Sequence, residues 1–239
     1  MADMKAAVII TAGGLGKRFG EKGDKLLPKQ FIHLSAKPII LYSIQSFERS
    51  KFISEIVLVV PDKWVEYTET ELVDKFDIKK VSKVIAGGAQ RQESVERGFK
   101  SLSSKPEIVA IHDGVRPFVS LEIIEEVLKH AANSGGAIAA IPATDTIKKS
   151  TSAKSIERTL SREDIWFAQT PQAFKYEILL EAYEKASEDG YLGTDEAELV
   201  ERLGKEVKLV LGSKNNIKIT TPEDLKLGEL IIDSGMNDN

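Results

Sequence analysis

Five apolar runs of strand length recur in the first 142 residues of this chain, and amphipathic helical spacing separates them. Most of the runs lack alternating polar residues, which is typical of strands covered on both faces. Strands that alternate with helices predict βαβ units, so we expect an α/β fold with a mostly parallel, twisted sheet and helices on both faces. The predicted strands are Ala6–Thr11, Ile56–Val60, Val81–Ala86, Ile108–His112 and Gly136–Ile141.

Helical periodicity and capping signals complete the predicted framework. One apolar helix face contains Ile40, Ile44 and Phe47, and a second extends from Ile123 to Ala131. The segment from Thr221 to Asp224 has an N-cap threonine, a first-turn proline and two acids, which predicts the start of a last helix. The remaining predicted elements are helices over Ile178–Ala186 and Glu196–Leu203 and strands over Val207–Leu211 and Ile217–Thr220.

Residues 143–163 interrupt this pattern because they are almost entirely polar. Within them, Thr146–Lys148 and Ile156–Leu160 have the composition of two short strands joined as a hairpin. An isolated hairpin with so little apolar surface is marginally stable at best. We therefore predict a protruding β-arm over residues 143–163 that lies against a second copy of the chain.

Composition narrows the classes of function. The 239 residues include no cysteine, which excludes disulfide frameworks, thiolate zinc sites, iron–sulfur clusters and a cysteine nucleophile. A net charge of −4 argues against a surface that coats nucleic acid. No apolar run approaches the ~20 residues of a membrane span, and the N-terminal run lacks a basic leader. We predict one cytoplasmic domain over residues 1–239, with no nucleic-acid or membrane partner.

A glycine-rich segment follows the first predicted strand. Gly13, Gly14 and Gly16 allow close approach of the backbone to a ligand, and Lys17 and Arg18 add positive charge. The spacing matches neither the Walker loop nor the dinucleotide fingerprint. Phosphate binding at the sheet edge and an ordinary strand-to-helix turn both remain open at this point.

A second basic segment lies about ten residues further on. Pro28 stiffens the backbone directly before Lys29, so this lysine can close over the same phosphates. The alternative is a solvated lysine on a surface loop.

Seven segments, taken together, resemble a known family. In these segments the chain resembles the nucleotidyltransferases that activate sugars and polyols. Among those enzymes, it resembles the 2-C-methyl-D-erythritol 4-phosphate cytidylyltransferase family. The resemblance extends over nearly the whole chain and implies a Rossmann-like fold. The segments, in order, are Gly13–Arg18 with Pro28–Gln30, Gly87–Val95, Ile111–Phe118, Thr144–Lys148, Gln169–Gln172, Thr194–Glu196 and Asn216–Lys218.

The resemblance implies transfer of a cytidylyl group from CTP to a polyol phosphate, with release of pyrophosphate. Arg18, Lys29 and Lys218 are the implied catalytic residues, and Asp113 is the implied ligand of Mg²⁺ or another divalent cation. A turn aspartate before Gly114 is the alternative for Asp113. The implied nucleotide-binding residues are Ala12, Gly13, Gly14, Gly16, Gly88, Arg91, Ser94 and Arg116.

The family also implies how the acceptor is bound. Thr146 and Thr194 would hydrogen-bond the polyol, and Arg162 would cross to the other subunit and meet the acceptor phosphate there. The chain would then be a homodimer formed through the arm over residues 143–163. Two departures from the family pattern are a long segment over Glu21–Leu27 and Ala89, which stands where some members have an acid.

Three other functions remain open from the sequence. A ribitol 5-phosphate cytidylyltransferase would share most of these motifs and differ in the polyol contacts. A transferase of uridylyl or adenylyl groups would differ in the nucleotide. A nucleotide-binding sensor without turnover is the alternative of another class.

Overall fold

The computed structural model describes residues 4–14 and 27–235. Apolar strand runs and capped amphipathic segments form the expected elements. The strands are β1 (Ala6–Thr11), β2 (His33–Leu34), β3 (Lys37–Pro38), β4 (Ile53–Val60), β5 (Val81–Ala86), β6 (Ile108–Asp113), β7 (Gly136–Pro142), β8 (Ile147–Ser150), β9 (Ile156–Leu160), β10 (Trp166–Lys175) and β11 (Lys208–Leu211). The helices are α1 (Ile39–Arg49), α2 (Val65–Tyr67), α3 (Arg91–Lys100), α4 (Leu121–Ser134), α5 (Tyr176–Glu188), α6 (Glu196–Glu201) and α7 (Pro222–Asp233), with 3₁₀ turns at Lys29–Phe31 and Asp62–Trp64 and a π-helical segment at Thr68–Asp74.

Seven strands form the central sheet in the order β11-β7-β10-β6-β1-β4-β5. Six of them run in one direction, and β10 runs antiparallel to both β6 and β7. The predicted α/β class and mostly parallel sheet are confirmed. The parallel direction places the ends of β1, β4, β5 and β6 at one edge, where ligands bind in open α/β sheets.

Helices cover both faces of the sheet. One face packs α1 and α4 through Phe47, Ile124 and Leu128, all fully buried. The other face packs α3 and α5 through side chains such as Val95 and Leu179. Because helices bury both faces of the strands between them, the sequences of these strands are continuously apolar.

The C-terminal prediction is correct for the helix and wrong for the last strand. Thr221 caps α7, and Thr221 and Asp224 form a reciprocal capping box. Residues 217–220 form no strand, because the Ile219 amide donates to the Val115 carbonyl instead of joining a ladder. This segment is a cross-link over the end of β6, which explains its apolar sequence.

The predicted hairpin is present. Strands β8 and β9 form an antiparallel pair outside the central sheet, with Ile147 opposite Leu160. Most of its side chains are exposed, and Ile156 is 68% exposed.

Within the described part of the chain, no helix has the length and apolar character to cross a bilayer.

Candidate active site

The ends of β1 and β6 and the start of α3 enclose a cavity of about 200 Å³ at the carboxyl edge of the sheet. The fold brings together predicted residues that are up to 206 positions apart in the chain (218 − 12). Gly16 and Arg18 lie outside the described residues. Nine predicted residues line the cavity: Ala12, Gly13, Gly14, Lys29, Gly88, Arg91, Ser94, Asp113 and Lys218.

A larger open groove of about 970 Å³ lies elsewhere, between α1, α4 and the edge strand β11. None of the predicted site residues that the structure describes lines it. The smaller cavity is therefore the candidate site.

The start of the glycine segment is fixed by the backbone around it. The Ala12 amide donates to the Val59 carbonyl at 2.7 Å, and the buried Gln30 side chain donates to the Ala12 carbonyl. A Cβ on Gly13 would lie 3.8 Å from the Gly87 Cα. The two glycine backbones thus pass close to each other. A Cβ on Gly87 would lie 3.0 Å from Ser94 Oγ, closer than an ordinary contact, so a larger residue there would displace the Ser94 side chain.

The turn before α3 lies next to these two glycines. The Ser94 hydroxyl accepts from the Gly88 amide and donates to the Gln90 carbonyl, each at 2.9 Å. The Glu93 carboxylate accepts from the Ala89 amide at 2.8 Å. These bonds hold the turn in one shape, and the predicted contact of Ser94 with the nucleotide stays a prediction.

The Asp113 carboxylate lies close to three positively charged side chains. Its carboxylate lies 2.9 Å from Lys218 Nζ, 3.4 Å from Arg116 Nε and 3.6 Å from Arg91 Nε. Burial alone would raise the pKa of Asp113, but the charges of Lys218, Arg91 and Arg116 outweigh it and hold the pKa well below its usual range. Asp113 is therefore an anion at any physiological pH.

Arg91 is held from its other side by Glu196, which lies in one of the seven segments but received no role from the sequence. Its Nη1 donates to both carboxylate oxygens of Glu196, at 2.9 and 2.8 Å, and Tyr183 donates to the same carboxylate at 3.2 Å. Glu196 is 1% exposed. Burial raises its pKa, while Arg91 works in the opposite direction.

Two further residues that the sequence did not assign to the site lie beneath Asp113. Thr170 Oγ1 accepts from the Asp113 amide and bonds His112 Nδ1, each at 3.0 Å, while His112 Nε2 lies 3.2 Å from the Arg116 carbonyl. Burial lowers the pKa of His112 to about 4. A neutral histidine therefore ties β6, β10 and the loop after β6 together.

The other predicted residues lie away from the cavity lining. Arg116 contacts Asp113 from behind and donates to the Asn216 carbonyl at 2.8 Å. Thr146 is exposed on the arm, and Arg162 donates to the Thr144 carbonyl at 2.6 Å. Thr194 bonds the Glu198 carboxylate at the start of α6. The structure does not bring Thr146, Arg162 or Thr194 to the cavity, and their roles stay predictions.

The balance of charge indicates what this cavity binds. Among the described residues that line the cavity, three are cations, Lys29, Arg91 and Lys218, and one is a carboxylate, Asp113. An excess of positive charge beside glycine backbone suits a polyanion such as a triphosphate. Among the described residues no group of three His, Asp or Glu could hold a metal by protein ligands alone.

Comparison with known proteins agrees with this chemistry. Residues 6–234 match the family model described as 2-C-methyl-D-erythritol 4-phosphate cytidylyltransferase. A relative of that name from Syntrophus aciditrophicus is 45% identical, with 95% of this chain and 96% of the relative aligned. The namesake from Geotalea uraniireducens is 41% identical, with 97% and 98% aligned.

Solved structures give the same result. A crystal structure of 4-diphosphocytidyl-2C-methyl-D-erythritol synthase from Anaerococcus prevotii matches with a TM-score of 0.84 and 29% identity, covering 96% of each chain. A 2-C-methyl-D-erythritol 4-phosphate cytidylyltransferase from Thermus thermophilus matches with a TM-score of 0.74 and 30% identity, covering 95% of this chain and 98% of the other. The similarity therefore extends over the whole fold, including the sheet edge.

Proposed function

Because the chain belongs to the 2-C-methyl-D-erythritol 4-phosphate cytidylyltransferase family, we propose that the cavity at the carboxyl edge of the sheet is its catalytic centre. The chain is a nucleotidyltransferase: it transfers the cytidylyl group of CTP to 2-C-methyl-D-erythritol 4-phosphate, in isoprenoid synthesis, and releases pyrophosphate. One observation supports the location best. Lys29, Arg91, Lys218 and Asp113, from four separate parts of the chain, line one cavity beside the glycine backbone.

The reaction joins two anions, so charge has to be balanced. An acceptor phosphate oxygen attacks the α-phosphorus of CTP, a new P–O bond forms, and the bond to pyrophosphate breaks. A phosphate monoester, with a second pKa of about 6, is already largely ionised at neutral pH, so no general base is needed. Positioning and stabilisation of the developing charge supply the rate enhancement.

The chain's own groups suit these tasks. The backbone at Ala12, Gly13 and Gly14 would hold the triphosphate, and Lys29 would stabilise negative charge on the α-phosphoryl group. Lys218 lies 2.9 Å from Asp113 and is 39% exposed, so its ammonium can also reach a phosphate in the cavity. Arg18 belongs to the proposed catalytic set through the resemblance and lies outside the described residues.

Asp113 fits a divalent cation. Mg²⁺ is commonly held by one or two carboxylates together with phosphate oxygens and water, and Asp113 is a permanently ionised carboxylate at the cavity wall. When bound, Mg²⁺ would neutralise part of the triphosphate charge. Asp113 would hold it, and Lys218 would shift its contact from Asp113 toward the phosphates.

A homodimer formed through the arm is part of the proposal. The arm has exposed apolar surface at Ile156 and few buried side chains of its own. Contact with a partner subunit would cover that surface and bring Arg162 to the partner's acceptor phosphate. A cytoplasmic location completes the proposal, because the reaction consumes CTP.

Pyrophosphate release from four nucleoside triphosphates and two polyol phosphates tests the assignment. We expect release only with CTP and 2-C-methyl-D-erythritol 4-phosphate. Turnover restricted to ribitol 5-phosphate, or to another triphosphate, would replace the assignment. CTP binding in calorimetry without any pyrophosphate release would indicate a sensor.

A further inference from the structure

Glu196 is the most completely buried charged group in the neighbourhood of the site, and the proposed chemistry does not use it. It is the first residue of α6 and is 1% exposed. Burying a carboxylate is costly unless it is paired and hydrogen-bonded. Its position therefore depends on its partners, which are Arg91 and Tyr183.

The bonds from Arg91 to Glu196 engage only one end of the guanidinium. Nη1 donates to both Glu196 oxygens, whereas Nε faces Asp113 at 3.6 Å. The Arg91 side chain is 30% exposed and lines the cavity. Glu196 thus fixes one end of a planar cation that also lines the cavity beside Asp113.

The support behind Glu196 is itself ordered. Asp195 caps α6 by accepting from the Glu198 amide at 3.0 Å, and Gln172 on β10 donates to Asp195 and accepts from the Ala197 amide. The first turn of α6 is consequently anchored to the central sheet. Small displacements of Glu196 relative to Asp113 are resisted by these bonds.

We propose that Glu196 is a positioning residue for nucleotide binding, whose carboxylate holds the Arg91 guanidinium at the cavity wall beside Asp113. This inference rests on the proposed function, since it assigns Arg91 to the bound CTP. Glu196 lies behind Arg91 and acts through it alone. Tyr183 supports the same carboxylate from the α5 side.

The test removes the negative charge of Glu196 and keeps the size and shape of its side chain. Glu196→Gln is expected to raise KM for CTP and the Kd for CTP by roughly 10- to 100-fold, the value of a hydrogen bond from a charged group such as Arg91, with a smaller change in kcat. Glu196→Asp keeps the charge and is expected to recover part of the loss. Glu201→Gln, an exposed position on the same helix, is the matched control and should equal the wild type.

A double-substitution cycle separates positioning from general structural support. In an Arg91→Ala background, Glu196→Gln should change neither KM nor Kd for CTP, because its only route to the nucleotide is gone. Equal losses in the two backgrounds would overturn the proposal, as would an unchanged Kd in the single variant. If Glu196→Gln does not fold, Tyr183→Phe replaces it, with an expected roughly two- to tenfold rise in Kd; no rise would contradict the proposal.

Pyrophosphate release tests the proposed function, and the Kd for CTP tests the role of Glu196, so the two can fail separately. Absence of pyrophosphate release by the wild-type enzyme would end the functional assignment. Calorimetric Kd values for CTP would still decide whether Glu196 acts through Arg91.

Discussion

The cluster of Asp113, Arg91 and Glu196, which we call the floor of the cavity, and the β-arm differ in how many contacts with the rest of the chain hold them in place. Asp113, Arg91 and Glu196 are each held by two or more partners from distant parts of the sequence. The arm is held mainly by its own hairpin, and Ile156 points away from the rest of the chain with 68% exposure. In the proposed dimer, the chain's own residues would form the nucleotide half of the site, and the partner's arm would contribute to the acceptor half.

The largest expected effect lies in the nucleotide half. Lys29→Ala should lower kcat by about 10²–10³-fold, as loss of one transition-state contact does, with Kd for CTP changed much less. Stopped-flow measurement of pyrophosphate release checks this. Lys205→Ala, an exposed lysine whose contact with Glu181 is 3.8 Å, is the control. A change confined to KM would assign Lys29 to ground-state binding.

The free energy of unfolding should also depend on pH through His112, which lies next to Asp113. Burial lowers the pKa of His112 to about 4, whereas an unfolded histidine titrates near 6.5. Between these values the unfolded chain takes up a proton that the folded chain does not, so stability should fall by about 3 kcal/mol as the pH drops from about 6.5 to 4.

Urea unfolding across this pH range measures the loss, with His112→Asn as the control that removes the titration. The raised pKa of Glu196 acts in the opposite direction as pH falls, and it is present in both proteins. The difference between the two proteins in the slope of unfolding free energy against pH isolates the contribution of His112. Identical slopes would show that the pKa of His112 is the same in the folded and unfolded chain.

A smaller effect is expected at the arm. Arg162→Ala should raise KM for the acceptor phosphate by roughly 10- to 100-fold, the value of a charge-assisted hydrogen bond, and leave the Kd for CTP unchanged. Steady-state kinetics and calorimetry separate the two. Arg158→Ala on β9, also exposed, is the control for loss of charge on the arm.

Mixed dimers sharpen the same comparison. When Arg162→Ala and Lys29→Ala subunits are mixed, half of the dimers pair one of each, and one site in such a dimer has both groups. Activity should then return to about a quarter of the wild-type value if each site is shared across a two-fold interface. No recovery would place Arg162 in the site of its own subunit.

The smallest effect is expected from apolar surface on the arm. Ile156→Val should raise the dimer dissociation constant about tenfold, since roughly 0.8 kcal/mol of apolar burial is lost at each of the two copies in the dimer, while the protomer itself is unaffected. Sedimentation equilibrium measures the constant. A dimer of unchanged affinity would show that Ile156 stays in water.

The sequence predicted the elements whose signals are local. β1 and β5 have the predicted bounds, and the hairpin and the cap of α7 lie where composition indicated. Strand β10 was missed because Gln169, Thr170 and Gln172 are polar. They are polar because they bond groups far away, such as Asn216 and Asp195.

In the candidate site too, residues with a local sequence signal were predicted, and a residue placed by a long-range contact was not. The glycine-rich segment and the segment at Pro28 pointed to Gly13, Gly14 and Lys29, and the family resemblance added Ala12 and Lys218. All five line the cavity. Glu196 follows Asp195 at a helix start, where an acid is favoured whether buried or exposed. Its burial depends on Arg91, 105 positions earlier, and no local pattern reports a pair so distant.

The reversed direction of β10 has a consequence for variation in this fold. Pro142, the last residue of β7, pairs with Trp166, the first residue of β10, so the segment between them leaves and rejoins the central sheet at the same edge. Because this segment adds no strand to the central sheet, its length and sequence can change without altering the register of any strand pair there. In the proposed dimer, such changes would alter the contacts with the partner's acceptor and leave the residues that line the chain's own cavity in place.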